Sequence, residues 1–153
     1  MTLYPNDAQI KAALSPVQVV GMTIWAEARA EPIEGEIAIG CVIRNRLLRP
    51  KRFADTWAGV CLAKWQFSCW IPQGGEQNYR MLLARCEAGL SGAKPWPRQA
   101  LWIADGLISG SIEEDRVNGA DHYYASWMSA PPKWAAGLTP AAIVGVHRFY
   151  NVP

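Results

Sequence analysis

Between Ser15 and Arg49 the chain reads SPVQVVGMTIWAEARAEPIEGEIAIGCVIRNRLLR. Two stretches of helical periodicity are held apart by a short link with Pro and Gly, and an acid stands inside the apolar stripe of the first. Ser15 followed by Pro16 is a start signal, since the hydroxyl can accept from an orphan amide and Pro lacks the donor that would go unpaired in a first turn. Val17, Val20, Ile24 and Glu27 follow at three- and four-residue steps, so they project from one side of the helix, the side that faces a core. Ala30-Glu31-Pro32 ends it. A second helix from about Ile33 to Leu48 carries Ile37, Cys41, Ile43 or Arg44, and Leu48 at helical spacing, and Pro50 stops it.

A carboxyl group held against apolar neighbours is desolvated when it ionises, so its pKa rises, and a raised pKa is what a general acid at neutral pH requires. Glu27 is on this ground the candidate catalytic acid. The competing structural account places it at the edge of the stripe, paired with Arg29, Arg44 or Arg46. Glu31 carries a weaker claim. Glu34 and Glu36 open the second helix, where negative charge suits the macrodipole, and Arg44 and Arg46 close it, where cations do. Neither pair needs chemistry to account for it.

A chain of 153 residues, half of them hydrophobic, fits one compact domain over residues 1–153 with a sizeable core. Fifteen basic residues against 13 acidic leave a net charge of +2, too mild to imply a nucleic-acid partner, although contact with an anionic polymer is allowed. No apolar run is long enough to span a bilayer, and MTLYPNDAQIKAAL has neither a basic n-region nor a signal-peptide core. The expectation is a protein made in the cytoplasm without an evident signal peptide or stable membrane insertion. Four cysteines allow three full pairings. Cys41 and Cys86 fall in apolar helical patterns and read as buried thiols, whereas Cys61 and Cys69 bracket a short loop and could bridge. Their spacing is not that of a zinc site, and His122 and His147 are too scattered to complete one, so no metal and no cofactor are expected.

Elsewhere, residues Asn6 to Leu14 read as a short helix capped by Asn6 or Asp7, with Ile10, Ala13 and Leu14 inward. Asp55 can cap a brief helix through Leu62. KWQFSCWIPQGG, dense in aromatic residues and ending in a Gly pair, reads as a loop or short hairpin and is the best candidate for a substrate wall. Glu76 to Leu90 is helical with Tyr79, Leu82, Leu83, Cys86 and Leu90 on one side. Arg98 to Ser109 is helical with Leu101, Trp102, and Asp105 or Ile108 in period, and Gly110 suits its C-terminus. In GADHYYASW, Gly119 and Asp121 look like turn residues, and His122, Tyr123 and Tyr124 like a cluster of donors. VGVHRFYNV suits a short strand near the end. Eight tryptophans are many for this length; flat aromatic faces beside polar groups suit a sugar ring, with core packing the alternative for any one of them.

Breaking a glycosidic bond needs a proton delivered to the leaving oxygen. A two-carboxylate hydrolase adds a second acid at the anomeric centre. A single-acid route is also open, in which the same residue protonates the bond and then, as a carboxylate, takes a proton from the sugar's own hydroxyl and closes an internal anhydro ring. The chain has no Gly-x-Ser-x-Gly elbow, phosphate loop, dinucleotide fingerprint or His-Glu-x-x-His motif. A thiol mechanism would fall to Cys69, in the most site-like loop.

Four ordered blocks, TIWAEARAEPIEGEIAIGCVIRNRL, QFSCW, GADHYY and HRFY, resemble the cell wall hydrolase family typified by spore-cortex-lytic enzymes, whose relatives also occur as phage lysis proteins. The resemblance implies a mainly α, small single-domain lysozyme-like or lytic-transglycosylase-like fold with a minor short β element. It implies cleavage of peptidoglycan glycan strands, with the first glutamate of the AEAR block, Glu27, as general acid and base. By the same carry-over Gln66, Phe67 and Ser68 line the cleft, with Trp70 in the same loop wall, and Asp121, His122, Tyr123 and Tyr124 lie on its other side. Three positions depart from the family pattern: Ala30 where Gly is common, Glu36 where Gln is, and Asp121 where Thr is. An acid at 121 could supply a second carboxylate and favour hydrolysis. Spore-type members are exported and carry a separate wall-binding domain, so a monomeric enzyme acting on the wall in phage or prophage lysis is the closer fit. The alternatives are a non-catalytic peptidoglycan- or glycan-binding module, and an amidase or peptidase acting on the stem peptide.

Overall fold

The structure, a computed structural model, describes residues 6–153. Helix α1 (Asp7–Ala13) is capped by Asn6, whose Oδ1 accepts from the Gln9 amide at 2.9 Å. Of its expected inward residues only Ile10 is buried; Ala13 is exposed and Leu14 half-buried, because so short a helix turns a single side to the core. Helix α2 (Pro16–Glu27) starts with a reciprocal cap. Ser15 Oγ accepts from the Gln18 amide at 3.2 Å, and Gln18 Oε1 accepts from the Ser15 amide at 2.9 Å.

The expected row of α2 is too narrow. Val19, Val20, Gly21, Met22, Thr23, Ile24 and Ala26 are all buried, so the helix is enclosed on nearly every side, and Val17, near its start, is only half-buried. Helices α3 (Ile33–Leu47), α4 (Trp57–Leu62), α5 (Glu76–Ser91) and α6 (Arg98–Ser109) pack around it. Two glycines permit the tightest approaches: a Cβ at Gly21 would strike the Leu101 side chain of α6, and one at Gly40 of α3 would strike Leu107. Helix α6 buries Ala100, Ile103, Ala104 and Leu107, a face rotated from the expected Leu101, Trp102 and Ile108, and Trp102 is exposed. Small residues on the buried face let α6 close on α2, and the indole is left outside. Leu48 is also exposed, because α3 leaves the core at Leu47.

Helix α4 is capped by Thr56, not Asp55: Thr56 Oγ1 accepts from the Gly59 amide at 2.9 Å. The aromatic loop forms two 3-10 turns, Ser68–Trp70 and Pro72–Gly74, rather than a hairpin. Cys41, Cys61, Cys69 and Cys86 are all buried free thiols, so Cys61 and Cys69 do not bridge. No helix among the described residues is long and apolar enough to cross a membrane.

Strands β1 (His122–Ala125), β2 (Ala142–Val144) and β3 (His147–Tyr150) form an antiparallel sheet in the order β1-β3-β2. The expected single C-terminal strand is therefore a hairpin, turned at Gly145 with φ of +57°, a conformation glycine adopts freely. His122, Tyr123 and Tyr124, expected as a cluster of donors, lie in strand β1, and its alternation sorts the rings. Tyr123 packs on the helical core, while Tyr124 joins Tyr150, Ala135 and Trp134 in a small cluster on the far side. Phe149, fully buried and 5.7 Å from the Tyr123 ring, ties the sheet to the helices. Phe149→Ala is expected to lower unfolding free energy by about 3–5 kcal/mol, seen as a lower urea midpoint with little change in slope.

Candidate functional site

Glu27 is the last residue of α2, and the chain leaves it through Ala30 in the left-handed region at φ of 68°. Its carboxyl group lies where two cavities meet. One, of about 430 Å³, is lined by Ala26, Arg29, Glu31, Asn78, Trp127 and His147 among others. The second, of about 250 Å³, is lined by Arg46, Trp65, Gln66, Ser68, Ile71 and Tyr123. Glu27 lines both. A larger cavity, about 820 Å³, lies over Ile33, Trp96, Leu101 and Trp102 and does not include Glu27.

Burial pushes the Glu27 carboxyl above the ordinary glutamate range. The Tyr123 hydroxyl, the Cys69 thiol and backbone, and the Arg46 charge pull the other way without overcoming it. Among the described residues no cation stands within ion-pairing distance of this carboxyl. Arg46 is nearby but engaged elsewhere. Its Nε donates to the Asp121 carbonyl at 2.8 Å and its Nη1 to Gln66 Oε1 at 3.3 Å, while the guanidinium stacks 4.7 Å from the Phe67 ring. Burial and the neighbouring Glu27 push the Cys69 thiol well up, and burial holds Cys61 at about 12, so neither is a ready thiolate nucleophile.

The residues of the QFSCW block divide by alternation. Gln66 and Ser68 are exposed at the lip of the smaller cavity, and Phe67 and Trp70 are buried beneath it. Trp70 offers no face to a ligand: its Nε1 donates to Thr23 Oγ1 at 2.8 Å, and that hydroxyl donates to the Val19 carbonyl at 2.7 Å. Trp65, 61% exposed, is the open indole of this wall.

Asp121 is not a turn residue on the surface but a fully buried anchor. It pairs with Arg49, with Arg52 at 3.8 Å and with His122 Nδ1 at 2.8 Å, and accepts the Val152 amide at 3.1 Å. A carboxylate so engaged is not a second acid for the cleft. His122 packs 5.0 Å from Trp134, and Tyr124 stacks on Tyr150; neither lines a cavity with Glu27. Of the GADHYY block only Tyr123 reaches it.

Sequence reading missed Trp127 as a residue of the site and took Arg46 only as a helix-end cation or an ion-pair partner of Glu27. Arg46 had a signal: Gly35, Ile39, Val42 and Arg46 recur at four-, three- and four-residue steps and are all buried, the same reasoning that singled out Glu27. Trp127, 77% exposed in the loop after β1, has no periodic signal. Glu36 is also buried and accepts from Gln99 Nε2 at 2.8 Å, with burial raising its pKa, so the helix dipole does not by itself account for it.

The native state holds the Glu27 proton more tightly than the unfolded chain does. The stability this group contributes is therefore whole below the ordinary glutamate pKa and is lost as pH rises through the raised value. Glu27→Gln has no such dependence. Its stability relative to wild type is expected to climb across that window and level off above it, as urea midpoints from about pH 4 to pH 9 will show.

The fold superposes on the catalytic domain of the Bacillus cereus SleB protein with a TM-score of 0.64, at 22% identity over 89% of this chain and 89% of that one. It also superposes on the catalytic domain of the germination-specific lytic transglycosylase SleB from Bacillus anthracis with a TM-score of 0.62, at 22% identity over 89% of this chain and 93% of that one. The lysozyme-like, mainly helical architecture is thus shared. No curated protein sequence matches the chain. The sequence model described as Cell Wall Hydrolase matches residues 30–150, beginning just past Glu27. With that match spanning most of its length, the chain belongs to the cell wall hydrolase family.

Proposed function

We propose that the chain cleaves the glycan strands of peptidoglycan, with Glu27 as the proton donor and residues 1–153 acting as one monomeric catalytic domain. The observation that carries this reading is a carboxyl group raised by burial, free of an ion pair, at the junction of two cavities. A protonated Glu27 can deliver its proton to the glycosidic oxygen as that bond breaks. Trp65 on one side and Trp127 on the other are open indoles flanking the acid, and flat rings of this kind suit the faces of saccharides.

The second half of the reaction turns on whether another carboxylate is available. Asp121 is committed to arginines and His122, and Glu31 accepts the Val146 amide at 3.0 Å. This favours the single-acid route. Glu27, ionised after its first transfer, removes the proton from the muramic residue's own primary hydroxyl; that oxygen attacks the anomeric carbon and closes a 1,6-anhydro ring, restoring the protonated acid. The lytic transglycosylase description of the Bacillus anthracis relative agrees with this chemistry. The resemblance of the four sequence blocks to a family whose relatives include phage lysis proteins supports a role in phage or prophage host-wall lysis.

Glu27→Gln is expected to reduce release of muropeptides from purified wall by at least about a hundredfold while wall binding persists. A variant that still clears the wall rules out the assignment. Mass spectrometry of the wild-type products should find anhydro sugar ends; reducing ends would indicate hydrolysis, and amine release without new sugar ends would indicate an amidase. Trp65→Ala and Trp127→Ala should each raise KM several-fold with less effect on kcat, as loss of aromatic stacking of about 0.5–1.5 kcal/mol implies.

A further inference from the structure

Glu31 stands in the link after α2, and its side chain is only 10% exposed. Its Oε1 accepts the backbone amide of Val146 at 3.0 Å and faces His147 Nδ1 at 3.4 Å, so the tip of the β2-β3 hairpin is fastened to the end of the helix that carries Glu27. The fit is close. A Cβ on Gly145 would come within 2.7 and 2.8 Å of the two Glu31 oxygens, so the turn has room for the carboxylate only because residue 145 has no side chain. A hairpin made for its own stability has no need of a buried acid from another element.

The fastening leads back to the acid. With its Nδ1 3.4 Å from Glu31 Oε1, the His147 ring meets Tyr123 edge-on, centroids 5.2 Å apart at 88°. Phe149 supports the same tyrosine at 5.7 Å, and β1 and β3 set Tyr123 opposite Phe149 and Ala125 opposite His147. Tyr123 and Glu27 line the same cavity, and the tyrosine hydroxyl favours the ionised Glu27 carboxylate. We propose that Glu31 and His147 are positioning residues, holding the hairpin and through it the Tyr123 hydroxyl in place on Glu27. This rests on the reading of Glu27 as the proton donor and adds what sets its proton affinity.

The titratable and charged groups around Glu27 are Tyr123 from β1, Cys69 from the 3-10 turn, Cys61 from α4 and Arg46 from α3, and across the larger cavity Arg29 and Glu31 from the link after α2 and His147 from β3. Tyr123 favours the ionised carboxylate against the effect of burial. With the hydroxyl withdrawn, Glu27 keeps its proton to higher pH, and the basic limb of kcat, which reports loss of the donor's proton, moves up.

The test is the pH profile of muropeptide release by the full chain. Tyr123→Phe is expected to move the basic limb up by about half a unit to one unit. Glu31→Ala should move it the same way, and in the Tyr123→Phe background it should add nothing, because the two act through one contact. Glu31→Gln keeps an acceptor for Val146 and His147 and should leave the limb near the wild-type position. If Glu31→Ala does not fold, by thermal unfolding and circular dichroism, His147→Phe carries the same expectation, since it keeps a ring on Tyr123 but has no donor for Glu31. A limb that stays put in these variants, or that moves equally with and without the Tyr123 hydroxyl, overturns the proposal. An active Glu27→Gln would instead overturn the proton-donor reading itself.

Discussion

Helix α2 is enclosed by its neighbours over most of its length, and its last residue is an acid. Removing water from a carboxyl group raises the free energy of its charged form more than that of its neutral form, so the burial that makes α2 the centre of the core also keeps Glu27 protonated above the usual range. The packing is what makes the desolvation possible. Gly21 and Gly40 let α6 approach α2 and α3 closely, and the sheet, tied down by Phe149, covers the remaining side with Tyr123. Loosening any of these would admit water to the carboxyl and return it toward ordinary behaviour.

Arg46 shows how narrow the margin is. It is a buried cation close enough to favour ionisation of Glu27, and a bidentate pair between the two would hold the acid as a carboxylate. Instead its Nε donates to the Asp121 carbonyl and its Nη1 to Gln66, and its plane stacks on Phe67. Residues that never touch Glu27 thereby keep it available. Asp121 belongs to this support: locked to Arg49 and His122, it stabilises the start of β1 and presents the carbonyl that occupies Arg46.

The helices were legible because their signals are local. Ser15-Pro16 capping, the period of Tyr79, Leu82, Leu83 and Cys86, and Gly110 after α6 each act within a turn or two of the residues concerned, and these elements stand where they were expected. Errors came where two neighbouring residues could serve equally well, as with Thr56 and Asp55, or where a partner chose between faces, as with α6. Arg46 was readable by the rule that found Glu27, but its position near a helix C-terminus offered a dipole explanation that was sufficient on the surface and insufficient in the core.

The amino-acid order by itself determined the helical framework, the family blocks and the presence of an acid at the end of an apolar helix, since capping, periodicity and turn preference depend on residues close in the chain. Only the tertiary structure decided that Asp121 is an anchor, that Trp70 is spent on Thr23, that Tyr123 alone of its block reaches Glu27, and that Trp65 and Trp127 flank the same acid. Those outcomes depend on contacts between residues tens of positions apart, where desolvation and hydrogen bonding are set by whatever the fold brings alongside.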